Sequence, residues 1–158
     1  MNYLKPTITA IVLSILTFSC SSDDDSNNEE TSSNSFNAPT TITGDISTQI
    51  LGTWQIVSIT EDGRLEVMEE CDLQETIIFA SNNQYTSIEA ETDNEPCRFF
   101  TNRGTYNLND SRVEFSLGGD RFNQTITGLS TTGLVLQENF RENGRTFVFV
   151  ETYRRVGN

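Results

Sequence analysis

From Thr53 onward the chain is a succession of eight short runs rich in β-branched and aromatic residues, and that rhythm restricts it to an all-β fold. The runs span about 53–60, 74–80, 84–91, 98–106, 112–117, 122–128, 133–140 and 145–155, with turn-forming pairs such as Asn82-Asn83, Asn109-Asp110, Gly118-Gly119 and Asn143-Gly144 between them. Their spacing of about 10 to 13 residues indicates hairpins joined in sequence. Asn143-Gly144 is the sharpest turn signal, because both residues tolerate the positive φ of a type I′ turn. No helical periodicity of useful length competes. Eight antiparallel strands of similar length can remove their exposed edges by closing into an up-and-down barrel. A seven- or eight-stranded sandwich is the alternative, but it needs longer crossovers than these turns provide.

The chain has no histidine, and Lys5 is its only lysine. Ser-His-Asp and Cys-His catalysis, histidine-ligated zinc, serine–lysine dyads and Schiff-base chemistry each lack an essential group. No metal and no organic cofactor is expected. The catalysis that remains is a pair of carboxylates across a glycosidic bond, about 5 to 9.5 Å apart. With 23 acidic residues such pairs are inevitable, so no residue is singled out and a non-enzymatic role is expected.

An apolar run from Ile8 to Phe18 follows Lys5 and ends at Ser19-Cys20. It is too short for a hydrocarbon core that takes about 20 residues, and it reads as a cleaved export signal. Leu16, Ser19 and Cys20 resemble the signals of bacterial lipoproteins, which implies cleavage before Cys20 and acylation of its thiol and amine with palmitate-like chains. The expected organisation is a signal peptide over 1–19, a lipidated cysteine and acidic tether over 20–48, and the β domain over 49–158. Residues 21–48 carry six acidic and no basic side chains, a composition that cannot bury enough surface to order itself. As a flexible chain it would reach roughly 30 Å. Asp23, Asp24 and Asp25 resemble the export signal of some Gram-negative surface lipoproteins, which implies an outer-membrane protein facing outward; a solvated spacer is the plainer reading. Without residues 1–19 the chain carries 23 acidic residues against nine arginines, a net charge of −14, so nucleic acid is not an expected partner. Exported cysteines meet oxidising conditions, and Cys71 and Cys97 are too few for a structural zinc site, so a disulfide is expected between them.

Gly52-Thr53-Trp54 opens the first run, and Gly-x-Trp there resembles the signature of lipocalins and the short lipocalin-like domains of bacterial lipoproteins. The resemblance covers about residues 48–156 and implies an eight-stranded barrel whose tryptophan plugs a closed end, with an arginine late in the last strand packed over it. Arg154 and Arg155 supply that arginine, and Arg155 shares strand parity with Phe147, Phe149 and Tyr153. Parity then puts Cys71 and Cys97 at the open end. Strands two apart lie about 9.5 Å from each other, so one cysteine must lean inward from its loop for the bond to form.

Eight strands leave an interior that side chains fill or that holds one small ligand. Phe79, Tyr85, Phe99, Tyr106, Phe115, Phe122, Phe147 and Phe149 supply bulk, whereas Thr76, Ser87, Ala90, Ser116 and Thr127 could leave space. Arg64, Arg98, Arg121 and Arg141 fall at the mouth, where a guanidinium could orient an anionic group of a ligand. The leading expectation is a lipid-anchored, lipocalin-like barrel that binds a small apolar or amphipathic molecule. A filled barrel serving as an interaction module of an envelope complex is the first rival, and a carboxylate-dependent glycan hydrolase the second.

Overall fold

The computed structural model describes residues 36–91 and 96–158. Alternation builds its wall. In β1 (Gly52–Glu61) Gly52, Trp54 and Ile56 are buried, and in β6 (Arg112–Leu117) Val113 and Phe115 are buried between exposed Arg112 and Glu114. The remaining strands are β2 (Arg64–Leu65), β3 (Thr76–Phe79), β4 (Gln84–Glu91), β5 (Arg98–Asn109), β7 (Asp120–Leu129), β8 (Gly133–Glu142) and β9 (Arg145–Gly157). From β3 to β9 each strand pairs antiparallel with the next, β3 also pairs with β1, and β9 returns to β1 from Thr53↔Gly157 to Glu61↔Phe149. Eight strands thus close the barrel in chain order.

Three details differ from the sequence reading. Asp62 and Gly63, at φ 49° and 78°, make a tight turn that adds β2 to the lip of β1 as a ninth strand. Residues Asp72–Gln74 form a 3-10 turn, so the second barrel strand begins at Thr76 and not at Gln74. The described part of the predicted tether, from Phe36 to Thr48, lies against the barrel. Thr43 N donates to Leu129 O at 2.9 Å and Leu129 N to Thr41 O at 3.1 Å, and a one-turn helix, α1 (Ile46–Gln49), capped by Asp45, leads into β1. Backbone hydrogen bonds, which a polar composition does not reveal, combine here with the close approach of Phe36 and Pro39 to Gly128 and Gly133. The hairpin at Asn143-Gly144 forms as expected, with φ 50° and 81°.

Aromatic and aliphatic side chains fill the half of the barrel nearest the start of β1. Trp54, Phe79, Phe115, Ile126, Leu134 and Leu136 are all at or below 1% exposure there. Phe79 meets Tyr106 edge-on at 5.0 Å, placing a ring edge against a ring face, and lies 6.0 Å from Phe115 with the two rings tilted by 45°.

Candidate functional site

The filled half ends in a plug. Trp54 is fully buried, its Nε1 donates to Ile50 O at 2.7 Å, and the Arg155 guanidinium sits 4.0 Å from the ring centroid. Arg155 also donates to the carbonyls of Thr131, Leu51 and Gln49. It ties the last strand, the β7–β8 turn and the segment entering β1 into one lid. Arg154 points the other way, donating to Gln55 Oε1 at 2.8 Å on the exposed face.

Above the plug the barrel is hollow. A cavity of about 390 Å³ is walled by β3, β4, β5, β6, β7 and β9 and by Glu75, which leads into β3. Tyr85 and Phe115 line it alongside Ser87 and Asn102. Gly104 makes room for this arrangement, since a β-carbon there would stand 2.7 Å from Tyr85 Cε1. Of the small residues that sequence offered, Thr76, Ser87 and Ala90 line the cavity, whereas Ser116 and Thr127 do not.

Three carboxylates face this space: Glu75, Glu89 and Glu151. Neutral groups hold each one. Ala90 N donates to Glu75 Oε1 at 2.8 Å. Ser87 Oγ and Asn102 Nδ2 donate to Glu89 Oε1 at 2.6 and 3.1 Å. Gln124 Nε2 and the Tyr153 hydroxyl donate to Glu151 Oε2 at 3.0 and 2.9 Å. Among the described residues the ion pairs are Arg145–Asp62 and Arg112–Glu114, and neither reaches the cavity.

Arg64, Arg98, Arg121 and Arg141 are exposed, and none of them lines the cavity. Cys71 and Cys97 form a disulfide with a Cα separation of 5.6 Å, linking the 3-10 turn before β3 to the start of β5. Phe99, offered as interior bulk, is 42% exposed. Cys20 and the run from Asp23 to Asp25 lie outside the described residues.

The sequence profile of a lipocalin-like domain family matches residues 50–136. The chain belongs to that family. Among solved structures, this lipocalin-like domain is similar to a lipocalin-like protein from Bacteroides uniformis, at 16% identity and TM-score 0.51, over 68% of this chain and 99% of that one. It is also similar to an uncharacterized protein from Bacteroides eggerthii at 12% identity and TM-score 0.48, over 67% of this chain and 98% of that one. A bovine odorant binding protein in complex with its natural ligand aligns at 14% identity and TM-score 0.46, over 72% of this chain and 75% of that one. A search of curated proteins finds no significant match.

Burial pushes the Glu75 carboxyl of this lipocalin-like domain above its ordinary range; the Ala90 amide opposes, and the charges of Asp72, Glu89 and Glu151 add to the rise. Glu138 is raised by burial and by Glu151. Tyr153 is raised well above the ordinary tyrosine value by burial, then by the Glu151 charge and hydrogen bond. A carboxyl with a raised folded pKa binds more protons in the native state than in the unfolded chain at pH values just above 4.5, its ordinary value. Stability therefore falls as pH rises through that window. Asp62, held below 3.8 by the Val148 amide and then by Arg145, acts the opposite way, and only at lower pH. We expect the urea midpoint to increase as pH is lowered from 7 toward 5, and Glu75→Gln, which keeps an acceptor for Ala90 N, to raise the midpoint at pH 7 and flatten the dependence. A midpoint unchanged by Glu75→Gln at pH 7 would contradict this account.

Proposed function

We propose that this chain is a cell-envelope lipoprotein, anchored through acylated Cys20, whose barrel takes a small amphipathic molecule through its open end. The observation that carries the reading is the cavity of about 390 Å³ above a filled base, with the buried Tyr85 hydroxyl unpartnered at its wall. Space of that size with a few fixed polar groups suits a small ligand, and it separates this reading from a filled barrel acting only as an interaction module. The family supports small-molecule binding in general terms. The signal resemblance at Leu16, Ser19 and Cys20 supports export and anchoring, and the run Asp23-Asp24-Asp25 supports presentation on the outer face of the outer membrane. Two acyl chains suffice for stable attachment.

Mass spectrometry of the protein purified from its own membranes tests both parts. Under denaturing conditions the chain should begin at Cys20 and carry acyl masses, which Cys20→Ala removes. Under native conditions it should carry a further mass that denaturation releases. An unmodified Cys20 rejects the anchor, and equal native and denatured masses reject the ligand.

A further inference from the structure

We infer that the molecule this cavity takes is cationic: an organic amine with an apolar body, seated among Glu75, Glu89 and Glu151 with the Tyr85 hydroxyl as an additional acceptor. The inference rests on the ligand-binding reading above and names the ligand's chemistry.

Each carboxylate is positioned through one oxygen by donors that carry no charge, so the wall keeps its negative charge. Among the described residues the second oxygens, Glu75 Oε2, Glu89 Oε2 and Glu151 Oε1, accept no hydrogen bond. Three like charges around one space repel each other; burial first and then the charges of Asp72, Glu89 and Glu151 raise the Glu75 carboxyl, and a bound cation would relieve the repulsion. Tyr85 points to the same occupant independently. It is 3% exposed, it lines the cavity, and its hydroxyl has no hydrogen-bond partner among the described residues. Buried polar groups are normally paired, and a ligand N–H would complete this one.

The apolar lining suits the rest of such a molecule. Phe115 stacks on Phe122 at 4.8 Å and meets Tyr85 edge-on at 5.0 Å. These rings bury hydrocarbon, and their faces attract ammonium. Among the described residues no three acidic or cysteine side chains converge closely enough to hold a metal ion. The three carboxylates come from the entry to β3, from β4 and from β9, within one run of neighbouring strands, and this spread matches an ammonium with three diverging N–H donors rather than a coordinated metal.

The test uses one molecular body in three charge states: phenylbutylamine, phenylbutanol and phenylbutyrate, titrated calorimetrically at pH 7 into the mature acylated protein held in amphipol. Charged hydrogen bonds predict that the amine binds about ten- to a hundredfold more tightly than the alcohol, and that the carboxylate binds weakest. Glu89→Gln with Glu151→Gln, which keeps an acceptor for each donor, should erase the preference while the thermal transition stays cooperative; Tyr85→Phe should weaken the amine more than the alcohol. The wild-type order stands without the variants should they fail to fold. Alcohol or carboxylate binding as tightly as the amine overturns the cationic assignment and leaves ligand binding intact. No binding by any of the three, together with equal native and denatured masses, removes the ligand reading itself.

Discussion

Trp54→Ala will cost the barrel about 3 to 5 kcal/mol, the range for truncating a buried large aromatic. The indole is fully buried, and its removal opens a void beneath a guanidinium 4.0 Å from the ring centroid. It also strips a donor from Ile50 O. Arg155→Met should cost less, because the lost cation–π contact is worth about 0.5 to 2 kcal/mol, while the carbonyls of Gln49, Leu51 and Thr131 lose their shared partner. A double-mutant cycle by urea unfolding should give a Trp54–Arg155 coupling of at least about 0.5 kcal/mol. Arg154→Ala is the control: it bonds Gln55 on the exposed face and should show no coupling. Additive behaviour of Trp54 and Arg155 would mean that the plug does not work as a unit.

Cys71→Ser with Cys97→Ser should lower stability by about 3 to 4 kcal/mol, the chain-entropy estimate for releasing cysteines 26 residues apart, less any strain the bond holds in the native state. The consequence is also local. Glu75 follows Cys71 by one short turn, and β4, which carries Glu89, lies between the two elements that the bond joins. The variant should therefore unfold at lower urea and also lose ligand retained in the native mass spectrum. Unchanged urea midpoints with both cysteines replaced would show that the bond restrains nothing the unfolded chain would otherwise explore.

The strand rhythm was legible because each element announces itself locally. Trp54 and Ile56 in β1, or Val113 and Phe115 in β6, alternate with polar residues, so the strands could be located, but a slip of one residue reverses every side chain and the inward face had to await the structure. The plug followed from the lipocalin resemblance at Gly52-Thr53-Trp54, and parity agreed with it, since strands closing in order must return Arg155 to the level of Trp54. The β2 turn was missed although Asp62-Gly63 is a strong signal, because the flanking Arg64-Leu65 is too short to read as a strand. Charge was harder to place. Mouth arginines were conspicuous beside acidic neighbours, yet they are exposed and none lines the cavity, while the glutamates that line it were lost among 23 acidic residues. Their signal was the same period of two that fixed the core: Glu75 precedes Ile77 and Phe79, Glu89 follows Tyr85 and Ser87, and Glu151 precedes Tyr153 and Arg155. Glutamate at an inward position breaks the apolar pattern, and such breaks mark the places where a barrel carries more than its own core.

The strap from Phe36 to Thr43 gives the molecule a mechanical asymmetry. A pull transmitted through residue 36 first meets the contacts of Phe36 and Pro39 with Gly133 and Gly128, then the few hydrogen bonds that Thr41 and Thr43 share with Leu129. These can be peeled away while β1 stays clamped between the ladders of β3 and β9. Under such a pull the strap would serve as a mechanical fuse at the plugged base, expected to yield before force reaches the seam that closes the barrel. Drag on the domain would then be absorbed at the end remote from the cavity, leaving the shape of the mouth undisturbed.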